Sequence, residues 1–285
     1  MNDAPLVSVL MTAYNREAYI GEAIASVVAS DFEAWELIIV DDGSTDRTVS
    51  IAREWAGRDA RIRVYQNPEN LGDYPNRNQA ASYARGKYLK YVDADDYVYP
   101  HGLAVIVGMM EQFPEAGYGL CSLDQDVQKP FPFMLSPREA YFRHYFQTPL
   151  FHKAPLSAVM HRQVFEEVGG FPLQRMTSDF AMWQILSQKY NVVLMPSGLV
   201  WYREHDSQEV NEISRNPLFY SFAYQNVMLN SIQHPACPLE PSETRKIRIR
   251  TMLSNCKMAL RELTRLNIAN LLRIVRQTVH IHNGF

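Results

Sequence analysis

Cysteine is scarce in this sequence: 285 residues contain three, Cys121, Cys237 and Cys256, far apart and without a CxxC pair. That argues against a zinc ribbon or a disulfide framework and fits a reducing, cytoplasmic setting. Net charge is small too, formally -3, so no global field draws the chain to nucleic acid, and electrostatic arguments must come from local clusters. Long hydrophobic runs are missing, with no window near the roughly 18 apolar residues of a membrane-spanning helix. The opening MNDAPLVSVLMTAYNRE has no basic segment ahead of its short apolar run, and it reads as a first strand rather than a signal peptide. The expectation is a cytoplasmic protein whose only membrane contact is peripheral, at the inner face. Internal repeats and low-complexity tracts are absent, as is a Gly-rich, Lys-bearing phosphate loop near the first strand.

What the chain has is apolar material, 47% hydrophobic and 12% aromatic, enough for a substantial core. LVSVLMTA (6–13) is an aliphatic run too short for an ordinary helix, while Ile20, Ile24, Val27 and Val28 recur at helical spacing. The alternation repeats. WELIIV (35–40) reads as a buried strand, Ser44 or Asp46 can cap a helix ending near Gly57, and IRVYQ (62–66) is a strand. A helix from about Pro75 to Arg85, ended by Gly86, leads to the strand KYLKYV. Such βαβ units imply an α/β fold with a mainly parallel sheet, whose ligands bind outside the carboxyl ends of the strands. Those ends are Thr12-Ala13-Tyr14, Asp41-Asp42-Gly43 and Asp93-Ala94-Asp95-Asp96.

After about residue 115 the alternation weakens. GYGLCSL (117–123) and PLSAVMHR (155–162) look like strands around a proline- and aromatic-rich wall, in which Tyr141, Phe142, Tyr145 and Phe146 suggest a short helix with an exposed aromatic face. Short helices are expected at RQVFEEVGG and over 178–190, and NVVLMPSGLVWYRE returns to the sheet.

The stretch KYVDADDY crowds Asp93, Asp95 and Asp96 after an apolar run with no cation among the residues that follow. Two carboxylates at a strand end can hold Mg²⁺ or Mn²⁺, ions that complete their shell with water and substrate phosphates. Asp93 and Asp95 would point to one side and Asp96 to the other. The plain alternative is a solvated acidic turn. DDGSTD (41–46) is open in the same way, since Asp, Gly and Ser are ordinary turn and cap residues.

VSVLMTAYN, ELIIVDDGSTDRT, NRNQAASYARGKYLKYVDADDY, SAVMHRQVFEEVGGF, SDFAMW and WYREH resemble, in order and spacing, the motifs of family 2 glycosyltransferases with the GT-A fold, over about residues 5–206. That resemblance implies a Rossmann-like, nucleotide-binding mixed sheet flanked by helices, and transfer of a sugar from a nucleotide donor, a UDP-sugar, to a saccharide or lipid-linked saccharide acceptor with inversion. It implies that Thr12, Ala13, Tyr14, Asp41, Asp42 and Asp93 serve the nucleotide, and that Asp95 and Asp96, with His205, bind Mn²⁺ or Mg²⁺. Arg203 would close over the diphosphate, and Asp179 would be the catalytic base. The family's acidic pair is incomplete here, because Ser178 stands before Asp179; without the resemblance, Asp179 or Ser178 reads as a helix N-cap. His161 falls on acceptor-side architecture.

The resemblance divides the chain into a catalytic domain over 1–215, with a nucleotide half to about 115 and an acceptor half beyond, and a helical extension over 216–285. From Arg245 to Arg276 nine Lys and Arg residues face one acid, Glu262, on a helical pattern broken near Asn267 to Asn270. Ile249, Met252, Leu253, Cys256, Leu260, Leu263, Leu271 and Ile274 share one face, with Arg250, Lys257, Arg261, Arg265 and Arg276 on the other. Packing on the catalytic domain, a homodimer and peripheral contact with an anionic membrane all remain open. Two other functions also stay in view. A sugar nucleotidyltransferase would release pyrophosphate, and a non-catalytic nucleotide-sugar-binding scaffold would show no turnover.

Overall fold

The computed structural model describes residues 4–205 and 216–283. The expected boundary at residue 215 lies outside the described residues. The first half alternates as its sequence pattern predicts: β1 (Val7–Ala13), α1 (Ile20–Val28), β2 (Trp35–Asp41), α2 (Thr48–Ala56), β3 (Ile62–Gln66), α3 (Asp73–Ser82) and β4 (Tyr88–Tyr91). A two-residue strand β5 (Tyr97–Val98) and helix α4 (Gly102–Met110) follow. The second half holds β6 (Ala116–Leu123), β7 (Phe133–Leu135), α5 (Pro137–Phe146), β8 (Ala158–His161), α6 (Arg162–Glu167), α7 (Ser178–Lys189), β9 (Asn191–Pro196) and β10 (Val200–Trp201). Helices α8 (Pro217–Gln233), α9 (Pro241–Thr264) and α10 (Ile268–Asn283) complete the described chain.

Eight strands form one mixed sheet in the order β3-β2-β1-β4-β8-β6-β9-β7, and β5 pairs antiparallel with β10 in a separate ribbon. Strands β1 to β4 are parallel neighbours, while β8 runs antiparallel to both β4 and β6. Because side chains alternate along a strand, the sheet feeds two cores. Leu10, Ile38, Val40 and Tyr91 join α3, α5 and α7 on one face. Val9, Met11, Leu37 and Ile39 join α1, α2 and α4 on the other. Gly86 lets the chain enter β4 tight against β1, where a Cβ would stand 2.6 Å from the Ser8 amide nitrogen.

Several elements differ from their sequence signals. Helix α3 starts at Asp73, two residues before Pro75, so proline occupies the first turn, where its missing N–H costs no bond. Tyr141 is not on an exposed aromatic face: it is fully buried and its hydroxyl donates to the Gln184 carbonyl at 2.9 Å. Pro155–Ser157 is a 3₁₀ turn, so β8 is shorter than PLSAVMHR suggests. The break expected near Asn267 separates α9 from α10. Val227, Leu229, Ile232, Ile247 and Ile281 of the C-terminal helices belong to the same core as α5 and α7. No helix among the described residues is long and apolar enough to cross a membrane.

Candidate active site

The strand ends expected to carry the site converge. Asp42 follows β2 and donates its amide to the Ala13 carbonyl (2.8 Å), while beside β4 the Ala94 amide reaches Thr12 (3.4 Å). Around these ends lies a cleft of about 350 Å³ lined by Thr12, Ala13, Tyr14, Asp42, Asp93, Asp95 and Asp96, together with Arg16, Asn70, Gly72, Asp73, Asn76, Arg77 and Tyr202. It sits where the order β2-β1-β4 sends connections to opposite sides, the usual ligand crevice of an open α/β sheet.

The carboxylates divide the work. Asp42 is buried and accepts three N–H groups, from the Asn67 side chain (2.8 Å) and the amides of Leu71 and Gly72 (both 2.9 Å), and so shapes the loop that lips the cleft. Asp41 does not line the cleft; its Oδ2 accepts from the Gly43 and Ser44 amides and holds the turn. Tyr14 stands at the rim of the cleft, 46% exposed.

Asp93 is held from α3. Arg77 grips it at two points, Nη1 to Oδ1 at 2.6 Å and Nη2 to Oδ2 at 2.8 Å. The Arg77 Nε also lies 2.8 Å from Asp73 in an ion pair. Asp95 Oδ2 accepts from Arg16 Nε (2.8 Å) and faces His205 Nε2 (3.0 Å). Asp96 is 1% exposed, and its Oδ1 accepts the Arg203 amide at 3.1 Å. Burial first, then the neighbouring Asp93 charge, pushes the Asp96 carboxyl far above the usual range.

The β5–β10 ribbon brings the late motif to this cluster. Tyr97 pairs with Trp201 and Val98 with Val200, so Arg203 emerges beside the acidic turn. Its Nε donates to the Asp95 carbonyl (2.9 Å) and its Nη2 to Glu22 (2.6 Å). The His205 ring stacks on Tyr19 at 4.8 Å. Arg203 and His205, 107 or more residues from the cluster in the chain, are thus brought onto it.

Asp95 and His205 carry donor types that a divalent cation takes, a carboxylate oxygen and an imidazole nitrogen. Their 3.0 Å separation is a hydrogen-bond or ion-pair contact in this structure, and the same Asp95 oxygen is held by Arg16 at 2.8 Å. Asp96, the other expected ligand, also lines the cleft, with one oxygen engaged by the Arg203 amide. Among the described residues no group of three or more His, Cys, Asp or Glu side chains is placed to hold a metal ion. A Mg²⁺- or Mn²⁺-type ion that shares its shell with a diphosphate does not require one.

Asp179 lies in the first turn of α7 and is not among the residues lining the cleft. It does not cap the helix: Thr177 holds the N-cap position without a side-chain bond, and the Ser178 hydroxyl donates to the Pro172 carbonyl. Asp179 Oδ1 accepts the Phe180 amide at 2.7 Å. Burial raises its carboxyl to about 6, against the Phe180 amide and the Arg77 charge, which lower it, with Asp73 raising it further. A carboxyl poised near neutrality suits a general base.

Sequence reasoning did not single out Arg16, Asn76, Arg77 or Tyr202. Arg77 and Asn76 lie inside NRNQAASYARGKYLKYVDADDY, and Tyr202 inside WYREH. An arginine one helix before an uncompensated acidic strand end was the available signal. His161 closes β8 with its ring 4.7 Å from Tyr88, on the junction with β4.

The sequence profile described as glycosyl transferase family 2 matches residues 8–169. An uncharacterized glycosyltransferase of Haemophilus influenzae is 29% identical over 227 residues, 73% of this chain and 68% of that protein. The putative colanic acid biosynthesis glycosyl transferase WcaA of Escherichia coli is 34% identical over 51% of this chain and 54% of its own length. Among solved structures, S. aureus TarS 1-349 in complex with UDP-GlcNAc superposes with a TM-score of 0.66 at 18% identity, over 85% of this chain and 70% of that one. The mannosyltransferase PcManGT from Pyrobaculum calidifontis, in complex with GDP-Man and Mn²⁺, gives 0.62 at 19% identity over 98% and 87%. These two likenesses establish a GT-A fold.

Proposed function

Since the chain belongs to glycosyl transferase family 2, we propose that this glycosyltransferase moves a sugar from a UDP-sugar to a saccharide hydroxyl, with inversion and a divalent cation, in surface polysaccharide assembly. The observation that carries the reading is that Arg77, which clamps Asp93 in the cleft, also bears by its charge on Asp179, whose buried carboxyl is raised to about 6. The UDP donor rests on the UDP-GlcNAc bound by TarS, the metal on the Mn²⁺ of PcManGT, and polysaccharide assembly on WcaA.

In this mechanism Thr12, Tyr14 and the loop shaped by Asp42 seat the nucleotide. Asp95 and His205 would hold Mn²⁺ or Mg²⁺, which supplies positive charge to the departing diphosphate. Arg203, whose backbone and guanidinium are both tied to the acidic turn, adds cationic charge at the same place. Asp179 takes the proton from the acceptor hydroxyl as that oxygen bonds to the anomeric carbon. The bond from that carbon to the diphosphate oxygen breaks on the opposite face, and its electron pair leaves with the nucleoside diphosphate. A panel of UDP- and GDP-sugars with Mn²⁺ and saccharide acceptors tests the reading. UDP release that Asp179→Asn abolishes is expected; release of pyrophosphate, or undiminished turnover in that variant, would reject it.

A further inference from the structure

Helices α9 and α10 pack on each other across a short turn. They bury Ile247, Ile274 and Ile281, of which Ile247 and Ile281 join the core of α5 and α7. The apolar residues expected to share one packing face on α9 are mostly left in solvent. Ile249, Leu253, Leu260 and Leu263 are exposed, Leu253 by 57% and Leu260 by 62%. Their spacings of four, seven and three residues make one continuous stripe. Helix α10 repeats the arrangement with Ile268, Leu272, Val275 and Val279, each about half exposed or more. Single exposed leucines are ordinary, but an apolar stripe on each of two adjoining helices asks for a partner.

Charge identifies the occupant. Beside the α9 stripe, about one quarter-turn away, runs a row of Lys246, Arg250, Lys257 and Arg261, all exposed. Arg276 takes the corresponding place on α10. Residues 241–283 carry nine Lys and Arg against Glu243 and Glu262, a formal +7, while the rest of the chain carries -10. A second copy docked symmetrically through this face would set two cationic rows against each other. An anionic bilayer meets both features, taking the leucine stripes at the acyl boundary and the guanidinium and ammonium groups at its headgroups.

We propose that the α9–α10 hairpin is a docking surface for an anionic lipid bilayer, with the acidic body of the protein held away from it. The proposal is independent of the assigned transfer reaction. The test is co-sedimentation of the full chain with vesicles of phosphatidylcholine alone or mixed equally with phosphatidylglycerol. Binding to the mixed vesicles is expected, at least about tenfold weaker on phosphatidylcholine and weakened by salt. The paired substitution Leu253→Glu and Leu260→Glu, at exposed positions, should lower binding at least about tenfold while circular dichroism and UDP release stay unchanged. Lys257→Gln with Arg261→Gln should weaken binding to the mixed vesicles only. Failure of the unmodified chain to bind anionic vesicles would overturn the proposal, as would undiminished binding by the Leu253/Leu260 variant. A dimer in light scattering that this variant disperses, without vesicle binding, would assign the face to a second copy.

Discussion

Arg77 and Asp93 form a two-point ion pair across the cleft floor, with both guanidinium Nη atoms within 2.8 Å of the carboxylate. The arginine is 8% exposed and the aspartate 20%, so removing one partner strands a largely buried charge. Arg77→Met is therefore expected to cost about 3–5 kcal/mol of folding stability, measured by urea unfolding. Arg77→Lys keeps the charge but loses the fork geometry. It should fold better than the methionine variant yet bind UDP-sugar at least about tenfold more weakly by calorimetry.

As the proposed base, Asp179 is expected to tie pH to both rate and stability. With its carboxyl raised to about 6, the base is protonated in acid, so kcat/KM should fall on the acid side of a limb centred near that pH. Its folded-state value lies above the unfolded one. Its favourable contribution is therefore complete below the unfolded pKa and is lost as pH rises through about 6. Asp179→Asn removes the titration and keeps an acceptor for the Phe180 amide. The variant should lose transfer by at least about a hundredfold. At pH 8 it should unfold at higher urea, by up to about 3 kcal/mol, an advantage that disappears below pH 4. Equal stability of the two proteins at both pH values would refute this account of Asp179.

Much of the first 115 residues was legible because periodicity and punctuation agree there: LVSVLMTA, WELIIV and KYLKYV are buried strands, and Asp42, Asp93, Asp95 and Asp96 at their ends line one cleft. Helix α4 was not recognised, for GLAVIVGMM is apolar on nearly every side and gives little period to read. Strand β7 hides in a proline-rich segment, and its ladder to β9 is a long-range pairing with no local mark. The two roles of the acidic residues also escaped a linear reading. Asp42 and Asp93 are largely engaged by Asn67, Leu71, Gly72 and Arg77, partners that only the fold assembles. The C-terminal stripe was visible as a face, but which face packs depends on the shape of the surface beneath it. There Ile247 rather than Ile249 turns inward.

The proposed cation role of Asp95 and His205 makes a prediction. Asp95→Asn should reduce Mn²⁺-dependent donor affinity at least about tenfold, and His205→Ala about as much, since disturbing even supporting groups of a metal site costs about 10- to 100-fold. Calorimetric titration of UDP with and without Mn²⁺ separates the effects. Both variants should resemble the unmodified protein when the metal is omitted. A loss of equal size without metal would show that the pair acts on the nucleotide directly.

Ser178 stands where the family's acidic pair would have its first carboxylate, and restoring that carboxylate is not expected to help. Ser178 has no exposure, and its hydroxyl donates to the Pro172 carbonyl. A carboxylate there would face a carbonyl oxygen, acceptor against acceptor, and could relieve the conflict only by taking up a proton. Ser178→Asp should therefore destabilise the protein by roughly 2 kcal/mol or more, with unfolding that becomes easier as pH rises. Ser178→Ala, which only removes the donor, should cost about 1 kcal/mol and retain transfer. Urea unfolding at pH 5 and pH 8, alongside UDP release, distinguishes the two. A Ser178→Asp protein that is stable at pH 8 and faster than the unmodified one would mean that the start of α7 rearranges to present both carboxylates to the acceptor.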